Sequence, residues 1–208
     1  MTPSPRLAAL DLEATCIRGP GCRVVAAALV PLTERGCVDL SSALYAVEPP
    51  GEPVGETALI HGVTSNGAPG PRGPGLREVL EAALGYTLIV YGRHDVELLA
   101  GEAERRGIPW ERICYIDLLA QLLRNPRRLE EARRRGGLRL EDAVEEILGF
   151  RPESLRVHNP LTDAVWAAVL YQALAARGES MRPRCLERRG RRSLSRLVSR
   201  LLGRRAPQ

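Results

Sequence analysis

The sequence predicts an α/β domain built on a mixed β-sheet. Three short apolar segments near the N-terminus have the length of strands, and longer segments with helical spacing dominate the second half. Between them, single strands alternate with helices, which is typical of strands joined by helical crossovers. The 208 residues are enough for one main domain with a sizeable core.

The predicted elements cover most of the first 180 residues. Strands are expected at 7–14, 23–30, 43–47, 87–91 and 113–116, and helices at 76–84, 95–106, 117–123, 138–148 and 159–177. Glycines directly follow three of these helices, at Gly107, Gly149 and Gly178, as expected of helix C-termini. Residues 33–42 are interpreted as a turn with a strand as the alternative, 49–75 as largely loop, and 130–135 as a solvated charged stretch.

Charge divides the chain into two parts. All 30 basic residues are arginines; residues 1–180 hold 20 of them against 24 acids, whereas residues 181–208 hold ten against Glu187 alone. We therefore predict a main domain at 1–180 and an arginine-rich tail at 181–208, whose excess charge indicates an anionic partner. Apolar residues of the tail fall on one face of a basic amphipathic C-terminal helix: Leu194, Leu197, Val198, Leu201 and Leu202.

That C-terminal helix has several interpretations. It can pack on its own domain, contact nucleic acid, dock on a partner such as a polymerase or a second copy of the chain, or lie on a membrane surface. No transmembrane segment is expected, because the longest strongly apolar run, 24–30, is far shorter than the roughly 20 residues that a spanning helix needs.

The cysteines predict a cytoplasmic location. They are five in number, scattered and without a C-x-x-C pair, which argues against a disulfide framework or a structural zinc site and for a reducing compartment. The first ten residues contain no long apolar segment, so no secretory signal peptide is expected.

Acidic residues occur where a buried strand is expected. Asp11 and Glu13 are two residues apart in the first strand, so their side chains point to the same side of the sheet. Two buried carboxylates repel each other unless a cation lies between them. The pair is compatible with a metal site, and the alternative is an exposed pair at the end of the strand.

A second acidic position opens the last predicted helix. Asn159 suits the N-cap and Pro160 the first helical position. His158 then lies just before the helix and Asp163 about one turn inside it. The alternative is a surface histidine beside an aspartate that favours the helix dipole.

A mid-chain aspartate completes the set. Asp95 and Asp117 each follow a predicted strand and open a helix, and bare chemistry does not choose between them. Four carboxylates with one histidine suit two hard cations, Mg²⁺ or Mn²⁺. Such a pair of ions can stabilise both the attacking and the leaving oxygen of a phosphate, while a histidine takes the proton of the attacking water.

At these residues the chain resembles a known family. The segment DLEATC at 11–16, the mid-chain aspartate and the H-x-x-x-x-D step from His158 to Asp163 are similar to the three motifs of the DEDDh 3′–5′ exonucleases. The resemblance spans about residues 7–176. It implies a ribonuclease-H-like fold, with a mixed five-stranded sheet flanked by α-helices. It also implies a two-metal phosphodiester hydrolase that releases nucleoside 5′-monophosphates from the 3′ ends of single-stranded nucleic acid.

The resemblance also assigns roles to residues. Asp11, Glu13 and Asp163 would hold the first ion, Asp11 would bridge to a second ion near Asp95, and His158 would be the general base. The family's second motif follows a strand and opens a helix, whereas a later I-D-L/T segment after the next strand is not a metal ligand. Ile116-Asp117-Leu118 resembles that later segment, so the resemblance assigns the role to Asp95. The implied substrate-binding residues are Ala14, Thr15, His61 and Thr64.

The resemblance leaves the choice between RNA and DNA open. Gly92-Arg93-His94-Asp95 and the E-A-T-C at 13–16 are similar to the Eri-type exoribonucleases, whereas H-G-V-T at 61–64 is similar to bacterial proofreading subunits. Two alternatives therefore accompany the exonuclease prediction. One is a DNA proofreading subunit that associates with a polymerase, and the other is a non-catalytic nucleic-acid-binding scaffold on the same fold.

Overall fold

The computed structural model describes residues 6–16, 21–49, 74–153 and 158–188. In this part of the chain the strands are β1 Leu7–Ala14, β2 Val24–Pro31, β3 Leu44–Val47, β4 Thr87–Val90, β5 Arg112–Asp117 and β6 Arg184–Glu187. The helices are α1 Leu76–Ala83, α2 His94–Arg105, α3 Leu118–Leu122, α4 Pro126–Arg135, α5 Leu140–Leu148 and α6 Pro160–Ala176. None of the helices in the described ranges is long and apolar enough to cross a membrane.

The strands form one mixed sheet in the order β3-β2-β1-β4-β5-β6. On one side of β1 the strands β2 and β3 continue as an antiparallel meander, and on the other side β4 and β5 run parallel to β1. The carboxyl ends of β1, β4 and β5 therefore lie at the same end of the sheet. In many open α/β sheets, ligands bind at the carboxyl ends of the strands.

Side-chain alternation along β1 sorts the core into two layers. Ala8, Leu10, Leu12 and Ala14 pack with apolar residues of α1 and α2, whereas Ala9 on the opposite face packs with those of α5 and α6. Because side chains alternate along a strand, the odd-numbered residues of β1 face α6. The α/β architecture predicted from the sequence is thus confirmed.

The sheet has six strands where five were predicted. The additional strand, β6, pairs antiparallel with β5 and lies at the edge of the sheet. Its four residues, R-C-L-E, come from an arginine-rich stretch with little apolar content, which is why the sequence pattern did not reveal it. The sheet consequently continues past residue 180, into the segment assigned above to the tail.

The prediction that the cysteines form no disulfides is wrong. Cys114 and Cys185 are bonded to each other across directly paired positions of β5 and β6, and Cys16 is bonded to Cys22. Cys37 is free and exposed. The first pair is 71 residues apart in the chain, so only the strand pairing brings it together. With four cysteines bonded, the cysteine pattern no longer supports a reducing compartment, and the cytoplasmic location remains a prediction without that argument.

Two further differences concern single segments. Residues 126–135 form helix α4, although 130–135 were predicted to be a solvated charged stretch. The start of the helix is marked by Asn125, whose side chain accepts a hydrogen bond from the Arg127 amide, and by Pro126 in the first turn. Between β2 and β3 the chain forms a short 3₁₀ helix, Leu40–Ser42. The loop predicted at 49–75 falls almost wholly, and the tail helix wholly, outside the described residues.

Candidate active site

The carboxylates of Asp11 and Glu13 lie near the carboxyl end of β1, on the face that packs against α6. Both residues are partly buried, and the residues on either side of each are buried. Directly after Glu13 the pairing of β1 with β2 shifts register: Glu13 faces Ala26, and Ala14 faces Val24. Such bulges bend a strand and redirect its side chains, and they are common beside active sites.

The start of α6 brings the second pair of groups to the same place. The Asn159 side chain accepts hydrogen bonds from the amides of Leu161 and Thr162, at 3.0 and 3.3 Å, and caps the helix as predicted. His158 thereby lies beside the first turn, with its Nδ1 atom 3.6 Å from Oδ2 of Asp163. Asp163 is buried, whereas His158 is exposed.

Asp95 joins the group from the other side of β1. Its Oδ1 accepts a hydrogen bond from the backbone amide of Leu12, between Asp11 and Glu13, at 3.3 Å. The pairing of β4 with β1 ends at Ala9, so this part of β1 has no strand on that side. Asp95 fills the gap and is buried there.

Asp117 has a different role. Its side chain accepts a hydrogen bond from the Ala120 amide at 2.8 Å and caps α3. Asp95, in contrast, is inside the first turn of α2, and its carboxylate contacts β1. The geometry therefore separates two aspartates that bare chemistry left equivalent, and it supports Asp95 as the member of the site.

The four carboxylates of the site have raised pKa values. Burial is the main cause at each: it raises the pKa of Glu13 and of Asp95 to about 7 and that of Asp163 to about 6. The pKa of Asp11 is raised well above its usual value by burial and then by the charges of Asp95, Asp163 and Glu13. Among the charged side chains of the described residues, His158 opposes the rise, at Glu13 and Asp163.

A buried carboxylate elsewhere shows the contrast. Glu102 is 2% exposed, and Arg106 Nε donates to its Oε1 at 2.7 Å while Arg105 contacts its other oxygen. Among the ion pairs of the described residues, neither Asp95 nor Asp163 has an arginine partner. A buried negative charge normally has a cationic partner. Apart from His158 beside Asp163, these carboxylates have no cationic partner in the described ranges, which leaves them available to a metal ion.

Ligand atoms of three of these residues are close enough to share one ion. Oxygens of Glu13 and Asp163 and a ring nitrogen of His158 all lie within 4.8 Å of one another. Carboxylate oxygens suit Mg²⁺ and Mn²⁺, and a histidine nitrogen is acceptable to Mn²⁺ and other transition metals. The donor set thus fits a divalent cation.

A cavity of about 480 Å³ opens beside this group. Asp11, His158 and Asp163 line it. It is also lined by residues that the sequence did not single out: Tyr91, Leu119, Leu138, Arg139, Leu140 and Glu141. Tyr91 ends a predicted strand and directly precedes Gly92–Asp95, so its position was a usable signal, whereas nothing in the sequence pointed to the others.

The predicted substrate-binding residues are only partly within the described chain. The side chain of Ala14 is buried in the core, so a nucleotide at this position would contact its backbone. The Thr15 hydroxyl accepts a hydrogen bond from the Arg23 amide at 3.1 Å, which fixes the end of the β1–β2 hairpin. His61 and Thr64 lie outside the described residues.

Comparison with known proteins gives a result only at the level of structure. No protein-family model and no curated protein matches the sequence. Among solved structures, the nuclease domain of 3′hExo, a DEDDh family member bound to rAMP, is similar with a TM-score of 0.64 and 15% identity, over 88% of this chain and 98% of that one. The chain has the fold of a DEDDh exonuclease domain.

Two further structures have the same fold. One is from a study of the 3′-end-specific recognition of histone mRNA stem-loop by 3′-exonuclease, with a TM-score of 0.62 and 14% identity over 89% of this chain and 91% of that one. The other is full-length 3′-exonuclease, with a TM-score of 0.64 and 14% identity over 90% of this chain and 68% of that one. The DEDDh resemblance and the predicted fold are confirmed, with six strands in the sheet.

The electrostatics of this DEDDh fold predict how its stability depends on pH. Without metal, the pKa values of Glu13, Asp95 and Asp163 are about 6 to 7, against ordinary values near 4. The folded state therefore retains protons that the unfolded state has lost, and the stabilisation present below about pH 4 disappears as the pH rises through 7. We expect thermal unfolding in EDTA to occur at least about 5 °C lower at pH 8 than at pH 5.

Adding Mn²⁺ at pH 8 should reverse that decrease, since the ion replaces the missing protons. The Asp11→Asn variant, which has one repelling charge fewer, should show a weaker dependence on pH in EDTA. An unfolding temperature in EDTA that rises from pH 5 to pH 8 would contradict the assignment of these shifts to the site.

A pair of matched variants tests the choice of Asp95. Asp95→Asn should weaken Mn²⁺ binding, measured by calorimetry, by about 10–100-fold, the range seen when a group that supports a metal site is changed. Asp117→Asn should leave the affinity unchanged, because asparagine is an equally good N-cap for α3. Equal losses in the two variants would assign the mid-chain role to Asp117 instead.

Proposed function

We propose that this protein is a metal-dependent 3′–5′ exonuclease that releases nucleoside 5′-monophosphates from the 3′ ends of single-stranded nucleic acid. One observation carries the proposal: four carboxylates from β1, α2 and α6 converge beside an open cavity without an arginine partner among the described residues. The DEDDh fold supports it, because the similar solved structures are a nuclease domain and a 3′-exonuclease.

The acidic residues would hold two divalent ions, Mg²⁺ or Mn²⁺. Asp11, Glu13 and Asp163 would bind the first, and Asp11 with Asp95 the second, in line with the electrostatic coupling of these groups. When bound, such ions supply charge stabilisation of the attacking and leaving oxygens of the phosphodiester. The raised pKa values mean that binding would release protons from the site between about pH 6 and 7.

His158 would act as the general base. It is exposed at the cavity, so water and substrate can reach its ring, and its contact with Asp163 orients the imidazole. A neutral imidazole can take the proton of an attacking water, and histidine ionises near physiological pH. His61 and Thr64, which the resemblance adds, and the arginines of 181–208, which the charge distribution singles out, would contribute contacts to the nucleic acid.

The substrate class is single-stranded RNA or DNA. Similar structures concern rAMP and a histone mRNA stem-loop, which favours RNA for this chain. A cavity of about 480 Å³ is large enough for one terminal nucleotide and part of the next. We therefore expect the enzyme to contact only the last few nucleotides at the site.

Digestion of paired substrates tests the proposal directly. Purified protein is incubated with 5′-labelled single-stranded RNA and DNA of the same sequence, in Mg²⁺, in Mn²⁺ and in EDTA. We expect a ladder that shortens from the 3′ end in either metal and is absent in EDTA, with nucleoside 5′-monophosphates as products. The faster substrate would decide between RNA processing and DNA proofreading.

Other outcomes would favour the alternatives. Binding of the labelled strand without a ladder in either metal would favour a non-catalytic scaffold. A ladder on DNA that requires an added polymerase would favour a proofreading subunit. Internal cleavage products, in place of a 3′ ladder, would contradict the exonuclease assignment and leave only a nuclease.

A further inference from the structure

We propose that Arg139 binds a phosphate of the substrate strand at the mouth of the catalytic cavity. This inference rests on the proposed function and names a residue that neither the sequence motifs nor the family resemblance selects. Arg139 lines the same cavity as Asp11, His158 and Asp163. It immediately precedes α5, in the turn that follows α4.

The charge of the cavity makes such a residue necessary. Asp11, Asp163 and Glu141 line it, and Glu13 lies within 4.8 Å of Asp163. Nucleic acid carries a negative charge at each phosphate, so even with two ions bound the outer part of the cavity would repel it. Among the described residues that line the cavity, Arg139 is the single side chain with a permanent positive charge.

The turn that carries Arg139 is fixed to the sheet. The Tyr91 hydroxyl, next to the end of β4, lies 3.0 Å from the carbonyl oxygens of both Leu138 and Arg139 and can donate to either. Tyr91 also lines the cavity. The backbone of Arg139 therefore has a defined position relative to the carboxyl ends of the parallel strands, where the acidic residues converge.

The side chain of Arg139 is available for a ligand. It is 79% exposed, and its ion pair with Glu141, a side chain that is 19% exposed, spans 3.6 Å, which is longer than the roughly 2.7–2.9 Å of a charge-assisted hydrogen bond. It makes no side-chain hydrogen bond at the N-terminus of α5. A guanidinium can form two parallel hydrogen bonds to a phosphate. We therefore expect Arg139 to bind a phosphate more strongly than it binds the Glu141 carboxylate at 3.6 Å.

The test compares Arg139→Gln with a matched control. Arg134→Gln removes the same charge from a side chain that is 73% exposed and paired with Glu130, but Arg134 does not line the catalytic cavity. Affinity is measured by fluorescence anisotropy of a short 5′-fluorescein-labelled single strand in Ca²⁺, with a gel to confirm that the strand stays intact. The series is repeated over about 50–200 mM salt, and KM and kcat are measured in Mg²⁺.

Arg139→Gln should raise Kd about tenfold, the scale of one hydrogen-bonded charged contact. The slope of log K against log salt should become shallower by about 0.7, the value for one phosphate contact on a single strand. KM should rise while kcat changes little. Arg139→Lys retains the charge but not the paired hydrogen bonds, so its Kd should lie between those of the wild type and Arg139→Gln. Arg134→Gln should have the Kd, salt slope and KM of the wild type.

Two results would overturn the inference, and they are distinguishable. If the wild type binds and cleaves but Arg139→Gln has the Kd, salt slope and KM of Arg134→Gln, the role of Arg139 is refuted and the exonuclease proposal stands. If the wild type neither binds nor cleaves the strands, both proposals fall together. Equal unfolding temperatures of the variants exclude misfolding as the cause of a difference.

Discussion

Replacing Asp11 with asparagine should abolish nuclease activity while leaving the fold intact. The charges of Asp95, Asp163 and Glu13 all act on Asp11, and the family resemblance makes it the residue that both proposed ions would share. Stabilisation by bound ions contributes several kcal/mol to the transition state, so we expect a loss of at least about 1,000-fold in kcat. The rate of ladder formation on 5′-labelled single strands measures it.

The same variant should be more stable than the wild type in EDTA. Its neutral amide removes repulsion from Asp95, Asp163 and Glu13, so thermal unfolding at pH 8 should shift upward. Asp39→Asn is the matched control, because Asp39 is partly exposed, caps the 3₁₀ helix and does not line the cavity. Loss of activity together with a lower unfolding temperature would mean that Asp11 is needed for folding, and the catalytic assignment would fail.

Replacing His158 with alanine should lower kcat by about 10²–10⁴-fold, the usual contribution of a general base. The imidazole lines the cavity from a position two residues before α6, and no other histidine among the described residues lines it. His94→Ala is the control, since His94 is exposed and directly precedes Asp95 but does not line the cavity.

Metal affinity separates two roles that the geometry of His158 allows. Its ring nitrogen lies within 4.8 Å of ligand oxygens of Glu13 and Asp163, so the residue could also coordinate an ion. If it is the base, His158→Ala should retain the wild-type Mn²⁺ affinity, and saturating metal should not restore the rate. A large loss of affinity, with activity recovered at high Mn²⁺, would identify His158 as a ligand.

The parts of the site that could be predicted depend on local rules. Strand periodicity places Asp11 and Glu13 on one face, and the capping preference of Asn159 followed by Pro160 fixes where α6 begins. Because these rules act over a few residues, the boundaries of β1 and the start of α6 agree with the prediction. The choice of Asp95 could not be made from such local rules. It depends on a hydrogen bond from the Leu12 amide of β1, which is far away in the sequence.

What could not be predicted depends on contacts between distant segments. The Cys114–Cys185 bond exists because two strands pair in one register, and the second of them, β6, has too few apolar residues to be recognised. Likewise, Arg139 and Glu141 line the cavity because α5 packs beside α6, with its start near the carboxyl end of β1. Neither relation leaves a periodic signal in the sequence.

The direction of β6 determines from which end of the sheet the last twenty residues leave. β6 runs antiparallel to β5, with Glu187 opposite Arg112. Arg188 therefore lies at the end of the sheet away from the carboxylates, and the length of β5, about 20 Å, separates the two ends. The described chain therefore ends at Arg188, on the side of the sheet away from the proposed catalytic site. If residues 189–208 contribute phosphate contacts, removing them should affect long substrates, and the number of nucleotides released per encounter, more than the cleavage of a very short one.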